Sequence, residues 1–234
     1  MIGLLGGMGP EASVDAYRLL VDLSYKDAGK DMGAYPHIVI NNVPFPNLYQ
    51  LPAEEARPML VDAVRLLATA GCRVIGVCCN SAHHYFADMK DELEEADVVL
   101  VNMVDETVIL ARSKTKNGNV VGVLSSTLSR EMYETGLTDQ GLQCILPETD
   151  CQRQVDDLIL RILSGEKDEK ISHELTSMCK AMVAQGAEIV ILGCTDLPLV
   201  LDEDEIGGLV VSSTQALVNA LSKQSRSRVQ NEHD

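Results

Sequence analysis

Short apolar runs recur along the chain, and most hand over to a stretch whose apolar residues return every three or four positions. That rhythm predicts strands alternating with helices. Residues 1–5 form the first run, closed by Gly6-Gly7-Met8-Gly9-Pro10; Ala12, Ala16, Leu19, Leu20 and Leu23 mark the helix stripe behind it. A polar link over 26–35 leads to a strand at 37–41. The loop Asn42-Val43-Pro44-Phe45-Pro46-Asn47 follows, since its prolines cannot continue a ladder. A helix over 58–70, with proline near its first turn and a capping glutamate before it, precedes the strand Val74-Ile75-Gly76-Val77. Then come a helix over 81–95, a strand at 98–101, and Asn102-Met103-Val104-Asp105-Glu106 leading into a helix that starts near Thr107.

After the linker-like segment 114–119 the pattern begins again. Val120-Val121-Gly122-Val123-Leu124-Ser125-Ser126 repeats the first run with Gly122 on Gly3. A strand at 142–146, helices over 156–163 and 172–184, and a strand at 189–192 follow. Laying Ile189-Val190-Ile191-Leu192-Gly193-Cys194 on Val74-Ile75-Gly76-Val77-Cys78-Cys79 also brings Gly71 onto Gly186 and Cys79 onto Cys194. The run 209–214 echoes 101–107 and again leads into a helix, and from Ser222 the chain turns polar, as a frayed tail does. The expectation is an α/β protein of two similar doubly wound parallel-sheet domains related by a pseudo-twofold axis, with the active site in the cleft between them. The expected division is 1–103 plus 208–225 for the first domain, 104–207 for the second, and a polar tail over 226–234.

Composition narrows the partners. Of the 234 residues, 46% are hydrophobic and 23% charged, an ordinary globular balance. The net charge of -16 argues against nucleic acid and anionic membrane surfaces, whose phosphates it would repel. It leaves an anionic small molecule open, because oriented backbone N–H groups act at short range while surface charges are screened. No apolar run approaches the ~20 residues of a membrane helix. The seven cysteines lack C-x-x-C spacing, which fits a reduced, cytoplasmic protein.

Cys79 and Cys194 stand where parallel strands end, the usual place for ligands in such sheets. A thiol there becomes a base once deprotonated, and a helix start favours the thiolate. Asn80 and Ser81 follow the first cysteine, Thr195 and Asp196 the second; these residue types cap helices and bind carboxylates. One thiolate can remove the α-proton of a substrate while the opposite thiol returns a proton to the other face. Donors for the developing charge are the N–H groups of Gly6 to Gly9, Ser81 and Thr195, with the side chains of Asn42, Asn80 and Thr127. Other readings stand beside this one. Gly6 to Pro10 has neither G-x-G-x-x-G nor Gly-Lys-Ser/Thr and serves equally as a tight turn. Cys72, Cys78, Cys144 and Cys179 read as small buried hydrophobes and Cys151 as a surface or helix-start thiol. His83 and His84 lack structural-zinc spacing, and Cys79 with His83 as a hydrolytic pair would leave Cys194 without a role.

Three motifs in order, Gly6-Gly7-Met8-Gly9-Pro10, Cys79-Asn80-Ser81-Ala82-His83 and Gly193-Cys194-Thr195-Asp196, resemble the signatures of the aspartate/glutamate racemase superfamily, nearest its aspartate racemase branch. The resemblance implies a cofactor-independent two-cysteine racemase acting on an amino acid, aspartate or glutamate in the first place, and commonly a homodimer. It makes Cys79 and Cys194 the acid/base pair, sets Thr195 and Asp196 beside the second, and has Met8, Asn42, Asn80, Ser81 and Thr127 line the substrate. No metal is implied. Three positions depart: Leu48 and Ser164 stand where aspartate-acting relatives carry Arg and Lys, and Ser212-Ser213 where an acidic residue is common. A neutral amino acid, a related isomerase or decarboxylase reaction, and a binding protein without catalysis are the alternatives.

Overall fold

The computed structural model describes residues 1–234 apart from 29–34, 47, 49–50, 117, 202–205, 207 and 232–234. Most of the 26–35 link, Asn47, Asn117 and the last expected tail residues lie outside the described set. In chain order the elements are β1 (Ile2–Gly6), α1 (Pro10–Ala28), β2 (Ile38–Asn42), α2 (Ala53–Thr69), β3 (Val74–Val77), a 3-10 turn (Ser81–Tyr85), α3 (Phe86–Glu92), β4 (Val99–Val101) and α4 (Met103–Lys114). They continue with β5 (Val120–Ser125), α5 (Thr127–Asp139), β6 (Gln143–Ile145), α6 (Thr149–Leu163), α7 (Glu169–Ala184), β7 (Ile189–Gly193), a 3-10 turn (Leu197–Val200), β8 (Val210–Ser212) and α8 (Ser213–Asn231).

Two parallel sheets result, with orders β2-β1-β3-β4 and β6-β5-β7-β8. Their registers match residue for residue. Ile2 pairs with Val74 in the first sheet and Val121 with Ile189 in the second, the same pairs that the internal repeat superposes. Every residue of β1, β3 and β7 is buried, as strands covered on both faces must be. On β3, Val74 and Cys78 face α1 and α8, whereas Ile75, Val77 and Cys79 face α2 and α3. On β7, Ile189 and Ile191 face α4 and α5, whereas Val190 and Leu192 face α6 and α7.

The chain divides into Met1–Met103 with Thr214–Asp234, and Val104–Ser213. Here the expected boundaries need correction. Residues 210–212 pair with β7, so β8 completes the second sheet rather than joining the first domain. Residues 226–231 are helical and not a tail: Ser222 is buried and Arg228 grips Asp97 through both guanidinium nitrogens at 2.9 and 3.0 Å. The repeat is also sharper than its sequence echo, because register sets Val101 with Val211 and so Met103 with Ser213, the first residues of α4 and α8. Each of these helices leaves a strand of one unit and covers the sheet of the other.

Helix starts moved for local reasons. The N-cap of α2 is the extended Pro52, with no side-chain cap, and Pro58 lies inside the helix on an exposed face. The first turn of α6 is polar and exposed and hides its apolar stripe, whereas α4 opens with the buried Met103 and Val104, within two residues of β4. Asp168 caps α7 by accepting the Ile171 N–H at 3.0 Å. The helix expected over 81–95 opens instead as a 3-10 turn. The Cys79 carbonyl, which an α-helix would give to the His83 N–H, is taken by the His83 ring at 2.8 Å, and that N–H turns to Asn80.

Candidate active site

In the first unit the carboxyl ends of β1, β2 and β3 gather Gly6 to Met8, Asn42 and Cys79 to Ser81. Gly6 pairs with Asn42, and the Cys78 N–H donates to the Leu5 carbonyl at 2.8 Å, which sets Cys79 just past the sheet edge. Cys79 is 6% exposed and Asn80 is buried, while Ser81 and Met8 are half-buried and Asn42 is exposed. Gly7 has φ +104, and a Cβ there would fall 1.8 Å from the Val43 carbonyl oxygen, so only glycine fits. Its N–H donates to Ser13 Oγ at 3.1 Å. This corrects one expectation: the Gly7 N–H is spent inside the loop rather than offered to a ligand.

His83 holds the end of the loop. Its Nδ1 lies 2.8 Å from the Cys79 carbonyl oxygen and its Nε2 accepts the Met103 N–H at 3.0 Å. Nδ1 is therefore the protonated nitrogen of a neutral ring. Burial pushes the imidazole down to about 4, against the hydrogen bond to Cys79. With both nitrogens occupied, His83 is a structural tie and neither a metal ligand nor a general base. Neighbouring Cys78 is sealed in the core, its thiol pushed up to about 12 by burial.

The second unit builds the same place from different residues. Ser125 pairs with Gly193, and Cys194 follows, half-buried, with Thr195 and Asp196 buried behind it. The Cys194 thiol donates to Asp196 Oδ2 at 3.6 Å. Burial lifts the Asp196 carboxyl to about 6, opposed by that thiol and by the charge of Lys167. Thr127 is exposed at the start of α5, and its N–H and hydroxyl both donate to Asp156, at 2.9 and 2.5 Å. Its hydroxyl proton is thus already committed to Asp156. Ser126 caps α5, accepting the Ser129 N–H at 3.3 Å.

Of the remaining cysteines, Cys72 and Cys179 are buried, Cys144 is half-buried and Cys151 is exposed on the first turn of α6. Among the described residues no group of three or more His, Cys, Asp and Glu side chains could hold a metal ion, and no helix is long and apolar enough to cross a membrane. Arg161, one turn before Ser164, is engaged by Glu166 at 3.0 Å and Glu174 at 2.8 Å. Lys167, in the same helix-to-loop region, and Tyr133, behind Gly193, went unremarked in the sequence. For Tyr133 a signal existed: the repeat sets Gly193 against Cys78, and a glycine opposite a larger residue marks a close neighbour.

Two units, each with a four-stranded parallel sheet, form the two-domain architecture of the Asp/Glu racemases. An aspartate racemase homologue from Pyrococcus horikoshii OT3 superposes with a TM-score of 0.77 at 24% identity, over 96% of this chain and 98% of that one. The aspartate racemase of Picrophilus torridus gives 0.77 at 25% identity, over 95% and 93%. The chain belongs to the Asp/Glu/Hydantoin racemase family, whose profile matches residues 5–221. It is accordingly an isomerase. Among individual proteins it is similar to RacX of Bacillus subtilis, a broad specificity amino-acid racemase, with 27% identity over 94% of this chain and 96% of that protein.

Proposed function

We propose that the protein racemises an α-amino acid without pyridoxal phosphate or any other cofactor, using Cys79 and Cys194 as its two acid/base groups. The observation that carries this is the duplicated register: each unit brings one cysteine to the same point past its third strand, amid small polar residues. One thiolate takes the α-proton and becomes a thiol, and the electron pair moves into the substrate carboxylate. The opposite thiol delivers its proton to the other face and becomes the thiolate, so the reverse reaction exchanges the roles. The mechanism requires both sulfurs to face a single carbon. N–H groups of Ser81 and Thr195 and the Asn42 and Asn80 side chains are suited to the developing negative charge. Asp196 next to Cys194 is suited to holding that thiol's proton between turnovers.

Aspartate or glutamate leads the substrate list, with Lys167 as the cation for a side-chain carboxylate, since its charge acts on Asp196. A neutral or broader amino-acid range is the second reading. It is favoured by Leu48, by the engagement of Arg161, by Asp156 occupying the start of α5, and by the broad specificity of the relative RacX. A chiral chromatographic screen of all amino acids separates the two, and deuterium exchange at Cα in D₂O tests the chemistry. No exchange with any amino acid would reject racemisation and leave a binding protein. A cytoplasmic homodimer completes the reading, to be checked by light scattering for mass and by fractionation for location.

A further inference from the structure

We infer that Tyr133 is a positioning residue for Cys194, fixing the take-off of the second cysteine loop from the sheet. The inference rests on the two-thiol reading above and goes beyond it.

Tyr133 is the bulkiest of the fully buried side chains, and it lies directly against the residue before the cysteine. A Cβ on Gly193 would fall 2.5 Å from Tyr133 Cε2 and 3.0 Å from Cδ2, with Ser125 Cβ at 2.8 Å on the neighbouring strand. The backbone of Gly193 is therefore wedged between the ring and β5. Ser129, one turn earlier on α5, adds a contact from its hydroxyl to the Gly193 carbonyl at 3.4 Å. The phenol is hydrogen bonded to the side chains of Thr107 on α4 and Ser213 at the start of α8, and both of those residues are fully buried. A ring anchored at its hydroxyl and pressed on Gly193 by its edge restricts where Cys194 can leave the strand.

The phenol is not itself a proton donor in the reaction. Burial raises it well above its ordinary range and outweighs the hydrogen bonds with Thr107 and Ser213, which act to lower it. The first unit solves the same problem otherwise: at the position of Gly193 it carries Cys78, whose own side chain fills the core. The device belongs to one thiol only. Since displacement of a reacting group by about 1 Å can cost ~100-fold in rate, its loss should slow one of the two proton transfers.

That asymmetry gives the test. Racemisation has an equilibrium constant of one, so kcat/KM for the two enantiomers must remain equal whatever the variant. The primary isotope effects need not, because slowing the step at one thiol expresses its isotope effect more fully. The Cys194→Ala protein, which keeps Cys79, identifies which enantiomer still exchanges its α-proton, and so which enantiomer normally gives its proton to Cys194. Tyr133→Phe should then lower kcat about tenfold with KM changed less than about twofold. It should also raise the isotope effect only for the α-deuterated enantiomer that reacts at Cys194. Thr107→Val, which removes one anchor of the phenol from outside, should shift the same enantiomer, and it carries the test if Tyr133→Phe fails to fold. Equal changes for both enantiomers, or unaltered kinetics in a folded Tyr133→Phe protein, would overturn the assignment. Racemisation surviving in Cys194→Ala would instead overturn the two-thiol reading itself.

Discussion

The carboxyl end of β3 and that of β7 are the same place built twice, and their contrast is instructive. Backbone register agrees at every paired residue, yet the acid–base surroundings do not. Cys79 sits almost wholly buried beside a neutral imidazole whose two nitrogens are both spoken for. Cys194 is more open and donates to a buried carboxyl poised near 6. The repeated scaffold sets where each sulfur stands, and the few residues behind it set how easily a proton comes and goes. A racemase that must serve two mirror-image substrates need not have mirror-image bases, since only the overall barrier is shared.

Experiments can press on that contrast in order of severity. Cys79→Ser and Cys194→Ser should each reduce racemisation by ~1,000-fold or more, read by chiral chromatography, given what positioned proton transfer contributes. Substantial activity in either variant would mean that one end suffices. Gly193→Ala drives a methyl into the Tyr133 ring and should lower kcat more than about tenfold, whereas Cys78→Ala, at the matching position in the first unit, should cost only about 1 kcal/mol of stability in urea unfolding. Similar losses in both would erase the distinction between the units.

Asp196→Asn removes the carboxyl that burial lifts to about 6, so kcat should fall about 10-fold and the acid limb of the rate profile near pH 6 should flatten. Stability should respond too. Folded Asp196 binds its proton better than the unfolded chain does, so its contribution is complete below its ordinary 3.8 and is lost as pH rises through 6. His83 has the opposite sign: its contribution is complete above 6.5 and is lost as pH falls through 4. Between about pH 4 and 6 the two slopes oppose each other, and the asparagine variant should lose stability in acid more steeply than the parent. The smallest effect belongs to Arg228→Ala. Its pair with the exposed Asp97 should shift the thermal melting of the protein only slightly at low salt, and less still at high salt.

Much of the scaffold could be read from the chain. Buried parallel strands are continuous apolar runs, so β1, β3, β5 and β7 announce themselves, and laying one run on another located both cysteines. Helix starts were harder to read, because the first turn of α6 faces water and looks like a loop, while α4 begins within two residues of β4 and so reads as a link. The polar residues after Ser222 conceal a helix because they continue the one that Leu217, Val218 and Leu221 bury, and Arg228 ties it to Asp97. Side-chain relations across the fold were beyond reach. Nothing in the spacing of Tyr133 and Gly193, or of Thr127 and Asp156, reveals that they touch, since their contacts depend on how helices lie on the sheet. His83 was half legible: its place four residues after Cys79 brought it to notice, but its bond to Met103 comes from a distant strand end.

The exchange of α4 and α8 bears on how the protein folds. On β3, Gly76 leaves room for Leu217 and Leu221, which would lie 3.1 and 2.9 Å from an added Cβ. The first sheet is thus covered by a helix that follows the last strand of the second. Contacts between residues so far apart in the chain form late, because a long loop must close before they reward it. Docking of α8 should therefore be among the last steps by which the first unit becomes protected from solvent.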